Sequence, residues 1–391
     1  MNKKLKVYVG MSGGVDSSLS AALLVEQGYD VTGVYMKNWT TDLPGVKCPW
    51  ADDLADAKRV AVQLGIDFKV FDFEKEYKNK VVDYMIDEYK NGHTPNPDIM
   101  CNQEVKFKLF LNAALEDGAD MIATGHYARV SNFFNNPSIV SSERLRATSN
   151  KGPGALLNLG CRCSSKTIDE SLKSEGVLLR AVDDNKDQTY FLYRVTGEAM
   201  AKTLFPVGGY TKPEVRIMAA ARGLTTAAKK DSQGICFVGQ IGIREFLSMY
   251  IDQKSGEIID KKSGKVLGHH DGAIFYTIGQ RHGLELGGGL PYYVVGKNMD
   301  KNEVYVTTDI NDDNLWKKEI NLTDVHWINE APLQGQYQIR VRHRAPLTKA
   351  VLEFKDSDVI LTLDNPEKSV AIGQSVVIYD GDICLGGGIV N

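Results

Sequence analysis

The chain has 391 residues, a length that suggests two or three domains rather than one. A composition of 43% hydrophobic and 25% charged residues is that of a soluble globular protein and excludes the disordered and fibrous classes. The formal net charge of −4 excludes an indiscriminate coat for nucleic acid or anionic membrane, while leaving room for a local basic face.

In chain order, Leu5 to Val9 is a short apolar strand that runs into the turn Gly10-Met11-Ser12-Gly13-Gly14. A helix from Asp16 to Gln27 follows and stops at Gly28. Asp30 to Met36 is a second strand, Asp52 to Leu64 a helix closed by Gly65, and Phe68 to Phe73 a third strand. Glu74 to Tyr89 and Lys106 to Glu116 have helical spacing, and Met121 to Thr124 reads as a fourth strand. Strands alternating with helices of this length predict a parallel sheet with helices on both faces, whose ligands sit beyond the strands' C-terminal ends. Residues 131–176 break the rhythm, rich in Ser, Asn and Gly, and read as a mobile insertion. From about Gly242 the texture changes to short strands between Gly, Asp and Asn turns. They are Glu257–Ile259, Ala273–Tyr276, Tyr292–Val295, Val304–Val306, Tyr337–Val341, Lys349–Phe354, Val359–Leu363 and Ser375–Tyr379. The expected division is an α/β catalytic domain (1–242), a small β-rich central domain (243–306) and a C-terminal β-barrel (307–391).

No apolar run approaches the roughly 20 residues of a membrane span, so no membrane partner is expected. The first residues carry neither a signal core nor an Arg/Ser-rich leader, which makes a cytoplasmic location the expectation. The six cysteines (48, 101, 161, 163, 236, 384) form no CxxC pair, so neither a disulfide scaffold nor a four-thiolate zinc site is indicated. A functional thiol in a reducing compartment would be catalytic.

Ser12-Gly13-Gly14-Val15-Asp16-Ser17-Ser18 lies between a strand and a helix. The glycines let backbone N–H groups approach a phosphate, and the helix N-terminus adds a favourable dipole. Asp16 would repel a phosphate unless Mg²⁺ stood between them, which makes it a candidate magnesium contact. The GK[ST] of a Walker loop is missing. The string resembles the PP-loop of the ATP-pyrophosphatase superfamily (the adenine-nucleotide alpha hydrolase-like fold), which implies cleavage of ATP between its α and β phosphates.

Further along, Asn96-Pro97-Asp98 precedes Cys101-Asn102, with Asn102 a plausible helix cap and Cys101 beside it, where the dipole favours thiolate. Local sequence alone leaves a structural role open for Cys101 and for Cys236. These strings, with Lys186-Asp187-Gln188, Gly234-Ile235-Cys236-Phe237, Thr277-Ile278-Gly279-Gln280-Arg281 and Cys384-Leu385-Gly386-Gly387-Gly388, occur in one order after the loop. Together they resemble the tRNA-specific 2-thiouridylases over nearly the whole chain.

That resemblance implies a tRNA sulfurtransferase: ATP adenylates the C2 oxygen of the wobble uridine, and a cysteine persulfide replaces it with sulfur. It implies Cys101 as nucleophile, Cys236 as persulfide carrier with a disulfide forming between them, and Asp98 as acid/base or base-positioning group. ATP contacts would be Gly10, Met11, Ser12, Gly13, Gly14, Val15, Asp16, Ser17, Met36 and Gly125. The target base would meet Asn96, Pro97 and Asp98. Further tRNA contacts would be Lys186, Asp187, Gln188, Arg342 and His343, although the family has Arg–Tyr where this chain has Arg342-His343. The implied partners are tRNAs such as those for Lys, Glu and Gln, and a sulfur donor, either a cysteine desulfurase or a relay protein.

Alternation in Arg340-Val341-Arg342-His343-Arg344 predicts three guanidiniums on one strand face. A basic stretch, Lys212, Arg216, Arg222, Lys229, Lys230 and Arg244, flanks Cys236 and suits an anionic substrate. Cys161 and Cys163 in the insertion could join a sulfur relay. Two other readings remain: a PP-loop ligase acting on a small metabolite, and a non-catalytic, ATP-dependent tRNA-binding protein.

Overall fold

The computed structural model describes residues 4–42, 48–131, 175–230, 241–287, 289–356 and 358–391. The strands of the first unit are β1 (Lys6–Gly10), β2 (Asp30–Lys37), β3 (Asp67–Asp72), β4 (Met121–Thr124) and β7 (Thr203–Leu204). They form one parallel sheet in the order β3-β2-β1-β4-β7. The two-residue period of β1 sorts the core. Val7 and Val9 point to α1 (Val15–Glu26), α2 (Trp50–Leu64) and α6 (Lys212–Ala221). Tyr8 points the other way, to α3 (residues 74–90) and α4 (residues 97–116). The expected parallel sheet with helices on both faces is therefore the observed one. Chain direction across the sheet reverses between β1 and β4, so the crevice beyond their C-terminal ends is a topological switch point.

The second unit is a four-stranded sheet of β8 (Gly256–Asp260), β9 (Val266–His270), β10 (Tyr293–Asn298) and β11 (Glu303–Thr307), around Ile258, Val294, Val304 and Val306. Ala273–Phe275, expected as strand, is a single 3₁₀ turn. The third is a closed antiparallel barrel of β12 (Trp316–Trp327), β15 (Asp358–Lys368), β14 (Thr348–Lys355), β13 (Gly335–Arg340), β16 (Ser375–Asp380) and β17 (Ile383–Val390), with β12 pairing β17 to complete the ring. Two short strands of the first unit, β5 (Arg129–Ser131) and β6 (Val177–Leu179), pair with each other and continue the barrel sheet through β17. The chain therefore leaves at Ser131 and returns at Val177, its hydrogen-bonded partner, on either side of residues 132–174. The insertion, with Cys161 and Cys163, lies outside the described residues. Short helices α5 (Gly197–Ala201) and α7 (Ile243–Leu247) complete the structure. Among the described residues, no helix is long and apolar enough to cross a membrane.

Candidate active site

The loop after β1 is built for close approach. Gly13 has φ +72°, and a Cβ there would lie 2.4 Å from the Asp53 carbonyl oxygen, so only glycine fits. Gly14 caps α1 with no side-chain hydrogen bond, so no side chain competes for the first-turn amides. Ser17 Oγ accepts from the Ser12 amide at 3.2 Å and donates to the Gly14 carbonyl, which fixes the loop's curl. Ser12 is exposed and Gly14 and Asp16 half-buried at the crevice, while Met11, Gly13, Val15 and Ser17 face inward. A Cβ on Gly10 would lie 3.0 Å from Met36 Cε, which places Met36 over the strand end. Gly125 closes the other side: a Cβ there would lie 2.6 Å from the Ser17 nitrogen.

Asp16 is not alone. Lys212 Nζ donates to both its oxygens at 2.8 Å, and Tyr127 Oη donates to Oδ1 at 2.8 Å. Its carboxylate and the hydroxyls of Ser12 and Ser17 are the hard oxygen donors that magnesium takes. Among the described residues no cluster of three or more His, Cys, Asp and Glu side chains could hold a metal.

The Asn96–Cys101 segment differs from the sequence expectation in one respect. Asn96, not Asn102, is the helix cap: its Oδ1 accepts from the Asp98 amide at 3.0 Å, with Pro97 in the first turn. Cys101 then lies one turn inside α4, fully buried, where the helix takes up i→i+5 bonding over Cys101–Leu109. Asn102 is buried too, and its side chain donates to the Phe191 carbonyl at 3.0 Å. Cys48 and Cys384 carry free thiols. Cys236 lies outside the described residues, and the expected disulfide with it.

The approach to this turn is wedged between the other two units. The Thr94 amide donates to the Ile372 carbonyl at 3.0 Å, and its hydroxyl lies 3.4 Å from that of Thr277. Gly373 lies against His93, where a Cβ would come within 2.6 Å. A cavity of about 460 Å³ opens here, lined from all three units by Asn96, Tyr190, Gln280, Arg342, His343 and Gln374 among others. Asn96, Arg342 and His343 are thus brought together. The sequence reading missed Gln374 and gave Tyr190 and Gln280 no role, although Thr277–Arg281 stood out as a string. Gly279 (φ +82°) in that string explains it, since a Cβ there would strike Ser369 of the barrel.

His343 packs at a tilt against Phe191, ring centroids 4.5 Å apart. Burial, then the nearby Arg344 and Arg340 charges, pushes its pKa down to about 4, so the ring is neutral at pH 7. The expected stripe of three arginines does not form, because β13 ends at Arg340 and the chain turns. Arg340 is buried and donates to Asp187 at 2.7 Å, Arg342 is exposed beside Glu367, and Arg344 (φ +63°) donates to the Asn185 carbonyl.

In Lys186-Asp187-Gln188 the members divide. Asp187 is fully buried, accepting from Arg340 and from the Thr189 hydroxyl, and presents nothing to a ligand in this state. Gln188 exchanges two bonds with Tyr127: its Oε1 accepts from the Tyr127 amide and its amide donates to the Tyr127 carbonyl, both 2.8 Å. Lys186 is half-buried. The basic stretch is largely internal cross-linking. Arg222 pairs with Glu26, Lys229 with Asp53 and Asp56, Arg244 with Asp271, and Arg216 donates to the Ala227 and Lys229 carbonyls.

Three family models match in succession: tRNA methyl transferase HUP domain (residues 5–240), tRNA methyl transferase PRC-barrel domain (244–308) and aminomethyltransferase beta-barrel domain (317–390). The proteins named tRNA-specific 2-thiouridylase MnmA from Bacillus mycoides (strain KBAB4) and Bacillus anthracis are each 43% identical over 399 aligned positions, which cover 100% of this chain and 96% of each relative. With similarity that runs through all three units and includes both the phosphate loop and the Asn96–Cys101 turn, the chain belongs to the tRNA-specific 2-thiouridylase family.

Proposed function

We propose that this protein is an ATP-dependent tRNA sulfurtransferase that converts the wobble uridine of tRNAs such as those for Lys, Glu and Gln to 2-thiouridine in the cytoplasm. The observation that carries the reading is the three-unit cavity, where the Asn96 turn and the barrel's Arg342-His343 face one space, in a chain whose first unit also carries a loop shaped for phosphate.

A uridine carbonyl is a weak electrophile, so its oxygen first attacks the α-phosphorus of ATP. The loop amides and the α1 dipole hold the phosphates for this step, and a bound magnesium ion would offset triphosphate charge. The outer sulfur of a Cys236 persulfide, loaded by a desulfurase or relay protein, then bonds to C2. Cys101 attacks the inner sulfur. The electron pair of the persulfide bond passes to the sulfur on C2, AMP leaves with the C–O pair, and a Cys101–Cys236 disulfide remains for an external dithiol to reduce. Asp98, in the first turn of α4, would orient the base. Cys101 is shielded from solvent before substrate arrives, so the step requires local rearrangement around the Asn96–Cys101 turn.

The test is nucleoside analysis of tRNA incubated with the enzyme, ATP, magnesium and a persulfide source. 2-Thiouridine should appear, and should vanish in Cys101→Ser and in Cys236→Ser separately. Turnover of ATP that survives both substitutions would favour a ligase, and tRNA binding without pyrophosphate release would favour a non-catalytic binder.

A further inference from the structure

The phosphate loop carries no lysine of its own, yet a lysine stands against it in the fold. Lys212, 196 residues beyond Asp16, reaches across from the first position of α6 to hold both oxygens of the Asp16 carboxylate. Two features make a lysine there costly. Its side chain is only 10% exposed, which is rare for an ammonium group. It also starts a helix, where the dipole disfavours a cation. The helix does not need it, since Thr211 and Glu214 form a capping box and the Lys212 amide is satisfied by Asp183. The helix gains nothing from the cation, and local rules broken together mark a functional position. The position lies at the switch-point crevice, beside Tyr127 and the strand exit at Gly125 that together flank the loop.

We propose that Lys212 is the missing cation of the phosphate loop. In the empty enzyme it neutralises Asp16. When ATP enters, its ammonium turns to the β- and γ-phosphates and faces the charge that collects on pyrophosphate as the bond from the α-phosphorus to the bridging oxygen breaks, the electron pair leaving with pyrophosphate. The assignment rests on the ATP-using half of the proposed function alone, and its test involves neither sulfur nor tRNA.

The measurement is equilibrium binding of ATP, AMP and inorganic pyrophosphate to the full chain, with thermal melting as a check on folding. Lys212→Met should weaken ATP and pyrophosphate by about tenfold to a hundredfold, the range of one charge-assisted hydrogen bond, and leave AMP nearly unchanged. Lys212→Arg should recover most of the ATP affinity. Because Lys212→Met strands a half-buried carboxylate, the doubly substituted Asp16→Asn/Lys212→Met, which leaves no unpaired charge, provides the second arm. It should still bind ATP at least tenfold more weakly than Asp16→Asn alone. Equal affinities in that comparison would reduce Lys212 to a neutraliser of Asp16 and overturn the proposal. So would parallel losses of ATP and AMP, or no loss of either.

Discussion

Gly125 meets the first turn of α1 where β1 and β4 part, and the shape of the crevice depends on how close that approach is. A methyl group there would sit 2.6 Å from the Ser17 nitrogen and 2.8 Å from the Asp16 carbonyl carbon, both backbone atoms that cannot swing aside. Gly125→Ala therefore has to push β4 and α1 apart, at about 1–3 kcal/mol of overpacking cost. The displaced turn is the one proposed to present amides to phosphate, so ATP affinity should fall about tenfold or more while the barrel's Arg342 and His343, on another unit, are little altered. Calorimetric titration with ATP alongside filter binding of tRNA checks this, and equal loss of both ligands would assign Gly125 a general folding role. The sequence showed Gly125 only as a strand exit. Its contact is with a residue more than a hundred positions away, and no local pattern encodes that.

At the scale of elements, legibility followed the range of the forces involved. β1, its glycine turn and α1 were readable because apolar run, turn chemistry and helix lie side by side. The start of α4 was misplaced by nearly two turns: Asn102 and Asn96 are both good caps, and the deciding signal was Pro97 in the first helical turn. The arginine stripe failed because alternation continued in the sequence past the end of β13. β5 and β6 went unseen because three residues carry no pattern and owe their place to pairing with β17. The Asn96 cap matters mechanistically, since it fixes the turn that bears Asp98 and aims the helix holding Cys101. Asn96→Ala should cost about 0.5–2 kcal/mol and lower thiolation kcat with ATP affinity unchanged. Asn96→Ser should restore it, because a serine hydroxyl can also cap. Failure of serine to rescue would mean that the amide acts on the base itself.

The whole molecule is tied together by one buried polar line that runs from the nucleotide loop to the barrel. Asp16 accepts from Tyr127; Tyr127 and Gln188 exchange backbone and side-chain bonds; Asp187, next to Gln188, accepts from Arg340 at the end of β13, two residues before Arg342. Both members of the Asp187–Arg340 pair are buried, 0% and 5% exposed at the side chain, and Thr189 and Tyr379 close the cluster. An ion pair this dry contributes little net stability compared with apolar packing, but losing Arg340 leaves the buried Asp187 carboxylate with Arg180, at 3.8 Å, as its cation. Arg340→Met should destabilise the protein by about 3–5 kcal/mol, and Asp187→Asn/Arg340→Met should recover much of that, as read from denaturant midpoints. The recovered double variant then separates stability from function. If the pair sets the barrel against the catalytic unit, the double variant binds ATP normally but binds tRNA several-fold more weakly, because Arg342 and His343 are no longer held opposite Asn96 across the cavity. Normal tRNA binding in a fully stable double variant would show that the barrel finds its position through its other contacts, the β17–β6 pairing and the Thr94–Ile372 bond among them, and that the buried pair only fills the space between the units.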